Sequence, residues 1–175
     1  MIAKEIYEQI NDIEYGWVDE NGVKHYKLEP VLFSQIYMLQ TPEELIKSRL
    51  GVCWDQVELQ RYYFSKTNLV FHSYDIVYID KNKMPNHTFF VYEENGKYYW
   101  FEHAFEKYKG IHEFNDLKSL LLEVKESFVT TELKDNYDDN LLNLFEYDRP
   151  KEHLYCTECY EHFMSGKNIT SMIKE

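Results

Sequence analysis

Asn95-Gly96 lies between two segments rich in aromatic and β-branched residues, His87 to Tyr92 and Tyr98 to Phe105. An Asn-Gly pair in this setting signals a two-residue hairpin turn, because both residues accept the positive φ it requires. With Glu94 and Lys97 flanking the turn, Tyr92 opposes Tyr99, Phe89 opposes Glu102 and His87 opposes Ala104. Strand alternation then puts His87, Phe89 and Val91 on one face with Trp100, Glu102 and Ala104. Glu102 becomes the diagonal neighbour of His87, at roughly 7–8 Å between α-carbons, within side-chain reach. His103 falls on the opposite face. A turn longer or shorter by one residue reverses this parity and removes Glu102 from His87.

The remaining elements follow from local signals. Ile2, Ile6 and Ile10 recur at helical spacing and predict a helix over residues 2–11. Asn21-Gly22 marks a hairpin or loop within Trp17 to Leu28. Thr41-Pro42-Glu43-Glu44 is a helix start, with Thr41 as cap, Pro42 in the first turn and Glu44 completing a capping box. Gly51 is the expected end of that helix, in the left-handed conformation. A second helix runs from Cys53 to Phe64, apolar around most of its circumference and therefore buried. Strands are expected at Val70 to Ile79 and Leu144 to Tyr147. A helix is expected over Asp116 to Val129 with Leu117, Leu120, Leu121, Val124 and Phe128 as its stripe, and a last one over Glu152 to Met164. The acidic 132–139 stretch reads as solvated surface. Helices followed by an antiparallel sheet make the fold class α+β. The length of 175 residues fits a single domain, with a core at about 30–115 and an extension at 116–175.

Nineteen basic against 31 acidic residues leave a net charge of −12, which repels nucleic-acid backbones and anionic membranes. No stretch approaches the length of a membrane span. Three cysteines form no disulfide framework, so a reducing cytoplasm is the expected compartment.

Chemistry concentrates in Gly51-Val52-Cys53-Trp54-Asp55-Gln56, His87 and Glu102. A cysteine in the first turn of a helix meets free backbone N–H groups and the positive end of the helix dipole, which favour thiolate. A histidine and a carboxylate on adjacent strands supply the base and its orienting group. Asp55, also in the first turn, reads as a cap rather than a reacting group. The order Cys, His, acid makes Cys53, His87 and Glu102 the candidate catalytic residues.

Gly51-Val52-Cys53-Trp54-Asp55, His87-Thr88-Phe89 and Tyr99-Trp100-Phe101-Glu102-His103-Ala104 together resemble the catalytic core of the transglutaminase-like superfamily, within the papain-like cysteine enzymes. The resemblance implies Cys53 as nucleophile at the start of a buried helix packed on an antiparallel sheet, His87 as base and Glu102 as acid. The acid in that pattern is usually aspartate, often followed by proline; here it is Glu102 followed by His103. The implied chemistry is acyl transfer on an amide bond of a peptide or other amide-bearing substrate, through a thioester, with hydrolysis ranked above crosslinking. The resemblance implies no cofactor, and the chain has no room for the calcium-binding regions of larger members. Related enzymes supply one oxyanion donor from an upstream side chain, for which Trp17, Gln35 and Tyr37 are candidates beside the Cys53 N–H. An alternative is a catalytically silent module of the same fold that holds a peptide or protein partner in an aromatic cleft.

A second cluster, His153-x-x-Cys156-x-x-Cys159-x-x-His162, offers N and S atoms of the kind zinc takes. Each three-residue step on a helix falls about 60° short of a full turn, so the four side chains fan apart. A buried stripe of Tyr155, Cys156, Cys159 and Phe163 is the favoured reading, and metal binding the weaker one. His72, His103 and His112 read as ordinary histidines of the aromatic-rich strands, with His103 as an alternative partner if the hairpin register shifts.

Overall fold

Residues 2–134 and 136–174 are described by the structure, a computed structural model. Helix α1 (Ile2–Ile10) buries Ile6 and Ile10 of the predicted four-residue stripe, with Ala3 beside them, while Ile2 at its start is exposed. Strand β1 (Glu14–Tyr15) follows, and then β2 (Trp17–Val18), which pairs antiparallel with β3 (Lys24–His25) around Asn21-Gly22. Gly22 adopts a φ of 78°, and the rings of Trp17 and His25 stack at 4.0 Å across the pair. Helix α2 covers Pro30–Ile36, and α3 covers Pro42–Ser48.

Helix α3 starts as expected: the Thr41 hydroxyl accepts the Glu44 N–H, and the Glu44 carboxylate accepts the Thr41 N–H at 2.8 Å. Its end corrects the sequence reading, because Arg49 rather than Gly51 takes the left-handed conformation, with φ 54°. The helix has to stop there because β4 (Leu50–Gly51) pairs in parallel with β1, with Tyr15 opposite Gly51. Glycine serves close approach instead: a β-carbon at Gly51 would lie 2.9 Å from Leu45 Cδ1 and 3.0 Å from Asp55 Cβ.

Helix α4 (Cys53–Phe64) has the predicted bounds and is buried along most of its length. Then come β5 (Val70–Tyr78), β6 (Asn86–Glu94), β7 (Lys97–Glu102) and β8 (Gly110–Phe114). The β6–β7 register is the expected one, with Tyr92 opposite Tyr99 and Glu94 opposite Lys97. Strand β7 ends three residues earlier than its apolar run, because the chain turns at Phe105, whose N–H donates to Glu102 Oε2. Helix α5 (Leu117–Phe128), capped by Asp116, continues into one π-helical turn over Val129–Leu133. The acidic 132–139 stretch includes residue 135, which lies outside the described residues; residues 139–141 form a short 3₁₀ turn. Strand β9 (Leu142–Glu146), helix α6 (Cys156–Met164) and strand β10 (Lys167–Asn168) complete the chain before a 3₁₀ turn at Thr170–Ile173.

The main sheet has six strands in the order β10-β9-β5-β6-β7-β8, with every neighbouring pair antiparallel. Phe90, Tyr92 and Phe101 pack on one face with Val57 and Phe64 of α4, in a core that also holds Cys53, Trp54 and Phe163. Phe89, Val91 and Trp100 pack on the other face against Leu120, Leu121, Val124 and Phe128 of α5. The α+β class holds, with helices on both faces of the sheet. No helix among the described residues is long and apolar enough to cross a membrane.

The last helix starts at Cys156 rather than Glu152, because Glu158 accepts the Tyr155 N–H at 2.9 Å and fixes Tyr155 as the cap. His153 therefore lies before the helix, at φ 58°, with Nε2 2.9 Å from Glu44 Oε1. His162 Nε2 meets the Asp148 carbonyl, and the Cys159 thiol points at the Leu154 carbonyl. Among the described residues no group of three His, Cys, Asp or Glu side chains could hold a metal ion.

Candidate active site

Cys53 is the first residue of α4, so its backbone N–H has no partner within the helix. Asp55 shapes the approach to it. Its Oδ2 accepts the Val52 N–H at 3.0 Å, while Oδ1 accepts the Tyr37 hydroxyl at 2.9 Å and the Gln40 N–H at 3.0 Å. Burial pushes the Asp55 pKa up to about 7, against these hydrogen bonds. Asp55 thus caps the helix, as expected from its position.

His87 lies on β6 beyond Phe90 and Phe101, where the ladder to β7 stops. Its Nε2 is 2.6 Å from Glu102 Oε1, and the Cys53 thiol is near enough to the ring to help raise its pKa. Glu102 is immobilised by two further donors: Trp100 Nε1 reaches Oε1 at 3.0 Å, and the Phe105 N–H reaches Oε2 at 2.9 Å. Tyr7 of α1 braces the same residue by donating to its carbonyl at 2.9 Å. Cys53, His87 and Glu102 are 6%, 6% and 3% exposed. The three sequence-predicted residues therefore meet, with Nδ1 as the His87 nitrogen left for the thiol.

Burial opposes an imidazolium at His87, but the Glu102 carboxylate and the hydrogen bonds to Cys53 and Glu102 outweigh it and raise the pKa to about 10. Burial likewise opposes ionisation of Glu102, and the neighbouring His87 charge with three hydrogen bonds holds its pKa below the usual carboxylate value. The pair is a buried ion pair with both partners supplied with donors or acceptors. The other two thiols lie in different surroundings: burial pushes Cys156 up to about 11 and Cys159 higher still.

A cavity of about 320 Å³ opens beside Cys53, and Tyr15, Ser34, Trp54, Asn86, Glu132 and Tyr160 are among its lining residues. None of the three upstream oxyanion candidates is part of that lining. Trp17 is buried and donates its indole N–H to the Lys27 carbonyl, Tyr37 donates to Asp55, and Gln35 is exposed on α2. Tyr15 lines the cavity instead, placed there by its pairing with Gly51. Tyr15 is half-exposed as a residue, but desolvation at its hydroxyl, followed by the nearby Cys53 and Glu132, raises its pKa above the ordinary value, so the hydroxyl stays protonated. Glu132, in the stretch read as solvated surface, also reaches this cavity from the π-helical turn.

A further carboxylate underlies the site. Asp75 of β5 is fully buried, and its Oδ1 accepts Asn86 Nδ2 at 2.7 Å. Its Oδ2 and the Thr88 hydroxyl, cross-strand partners, have no hydrogen-bond partner among the described residues. Burial raises the Asp75 pKa to about 7, moderated by Asn86 and His87. An aspartate inside Tyr74-Asp75-Ile76-Val77 is a legible signal, since charged residues are rarely fully buried. His103 joins α4 to the turn after α1 instead, with its ring nitrogens 2.9 Å from Gln56 Oε1 and 3.1 Å from the Asn11 carbonyl.

No known family model matches this chain, and no curated protein matches it at a significant level.

Proposed function

We propose that this chain is a cysteine-nucleophile hydrolase or acyltransferase acting on amide bonds, built on a papain-like, transglutaminase-like core. One observation carries the reading: a buried imidazole stands between a helix-start cysteine and a carboxylate held by two other donors. In the proposed reaction the Cys53 sulfur attacks the amide carbonyl and His87 gives its proton to the departing amine as the C–N bond breaks. Water, or an amine, then attacks the thioester while His87 takes the proton back, and Cys53 is released. Glu102 orients the ring and supports its charged form. The Cys53 N–H is the first oxyanion donor, and the Tyr15 hydroxyl, rather than Trp17, Gln35 or Tyr37, is the second. Three free thiols suit a reducing cytoplasm.

The low exposure of Cys53 and His87 favours one competing reading, a silent module of the same fold that binds a peptide or protein partner. Iodoacetamide separates the two. An acting Cys–His–Glu unit labels Cys53 at pH 6 ahead of Cys156 and Cys159, and loses that advantage in His87→Ala. Labelling that follows an ordinary thiol of pKa near 8.5, indifferent to His87, would assign the silent module.

A further inference from the structure

The cavity beside Cys53 has an unusual charge pattern. Four aromatic side chains line it, Tyr15, Phe33, Trp54 and Tyr160, and among the described residues no lysine, arginine or histidine does. Beside Cys53, burial raises Tyr160 and carries Cys156 up to about 11, so neither adds a charge near pH 7. Glu132 is the exception, a carboxylate at the rim that forms no ion pair among the described residues. His87, the nearest positive group, is matched by Glu102.

Aromatic faces attract cations through their quadrupole, and a carboxylate at the mouth of a low-dielectric cleft adds a directed Coulomb attraction. The net charge of −12 adds a field of the same sign. A volume of about 320 Å³ is at the small end for ligand pockets, which run from roughly 300 to 1,000 Å³. One extended side chain fits such a space better than a bulky group.

We propose that the acyl substrate of Cys53 carries an alkylammonium group, held between the aromatic wall and Glu132. This rests on the acyl-transfer reading and narrows it. A bound ammonium has no lone pair, so its role is recognition and not attack on the thioester.

Matched methanethiosulfonates provide the test: trimethylammonium-ethyl (cationic), sulfonato-ethyl (anionic) and methyl (neutral). Each rate at Cys53 is divided by the rate with N-acetylcysteine to remove intrinsic reactivity. The normalised cation-to-anion ratio is expected to be on the order of tenfold at low salt and to shrink with added salt. Glu132→Gln should lower it at least about fivefold. Glu126→Gln, which removes an equal charge from α5 outside the cavity, should leave it unchanged. A ratio unaltered by Glu132→Gln, or lowered equally by Glu126→Gln, overturns the proposal. The neutral reagent in His87→Ala reads the acyl-transfer reading separately, since loss of His87 activation leaves the charge ratio measurable on the remaining thiol.

Discussion

Glu102 accepts three hydrogen bonds with its side chain, from His87, Trp100 and Phe105, and each removes freedom that a glutamate would otherwise keep. Glu102→Gln retains the shape and removes the charge that sustains the imidazolium. Alkylation of Cys53 at pH 6 should fall at least about tenfold in this variant, measured against a wild type labelled in parallel. Tyr15→Phe should separate two steps at the same cysteine. Acylation by p-nitrophenyl acetate develops an oxyanion and should slow about 100-fold, whereas alkylation develops none and should fall far less. Equal losses in both reactions would make Tyr15 a structural residue only. At Gly51, alanine would place its β-carbon against Leu45 and Asp55, at 2.9 and 3.0 Å. Gly51→Ala should destabilise by about 1–3 kcal/mol in urea unfolding, as overpacking does.

At the scale of elements, the junction between α3 and α4 is held by Asp55, which ties the start of the nucleophile helix to Tyr37 and Gln40. Every contact of its two oxygens is with a donor. Asp55→Asn therefore turns an amide NH₂ towards another donor, and should cost about 1–3 kcal/mol in chemical denaturation, the penalty of a buried unsatisfied group. A near-neutral result would mean the junction is held by packing alone. Most of these elements were legible: the capping box at Thr41, the apolar circumference of α4 and the Asn95-Gly96 turn are local patterns. The parallel β1–β4 contact was not legible, because two-residue strands carry no periodicity. It is this contact that moves the end of α3 from Gly51 to Arg49 and brings Tyr15 to the cleft.

Across the whole molecule, the His87–Glu102 pair couples stability to pH. His87 is raised above the ordinary histidine value of 6.5, so its contribution is complete below pH 6.5 and fades as pH rises through about 10. Glu102 is lowered below 4.5, so its contribution is present above that pH and fades as the medium becomes more acidic. The difference in Tm between wild type and Glu102→Gln should be largest between about pH 4.5 and 6.5 and shrink on either side. A difference independent of pH would mean that the variant perturbs packing and not charge. The second core, behind the sheet, makes a separate demand. Phe128 of α5 is fully buried there, and Phe128→Ala should cost about 3–5 kcal/mol.

What the sequence determined by itself was whatever depends on neighbours in the chain: the helix that starts at Cys53, the hairpin parity that sets His87 and Glu102 on one face, and a balance of charge hostile to nucleic acid. Those are short-range consequences of backbone geometry and composition. Only the tertiary structure decided that Trp17 and Tyr37 spend their donors elsewhere, that Asp75 stands buried behind Asn86, and that Glu132 joins Cys53 across 79 positions of chain. Such meetings depend on how the sheet and its two layers of helices pack. Packing is set by the sum of many contacts, so no local pattern around Trp17 or Glu132 announces it, and the apolar run around Asp75 signals burial without naming its partner.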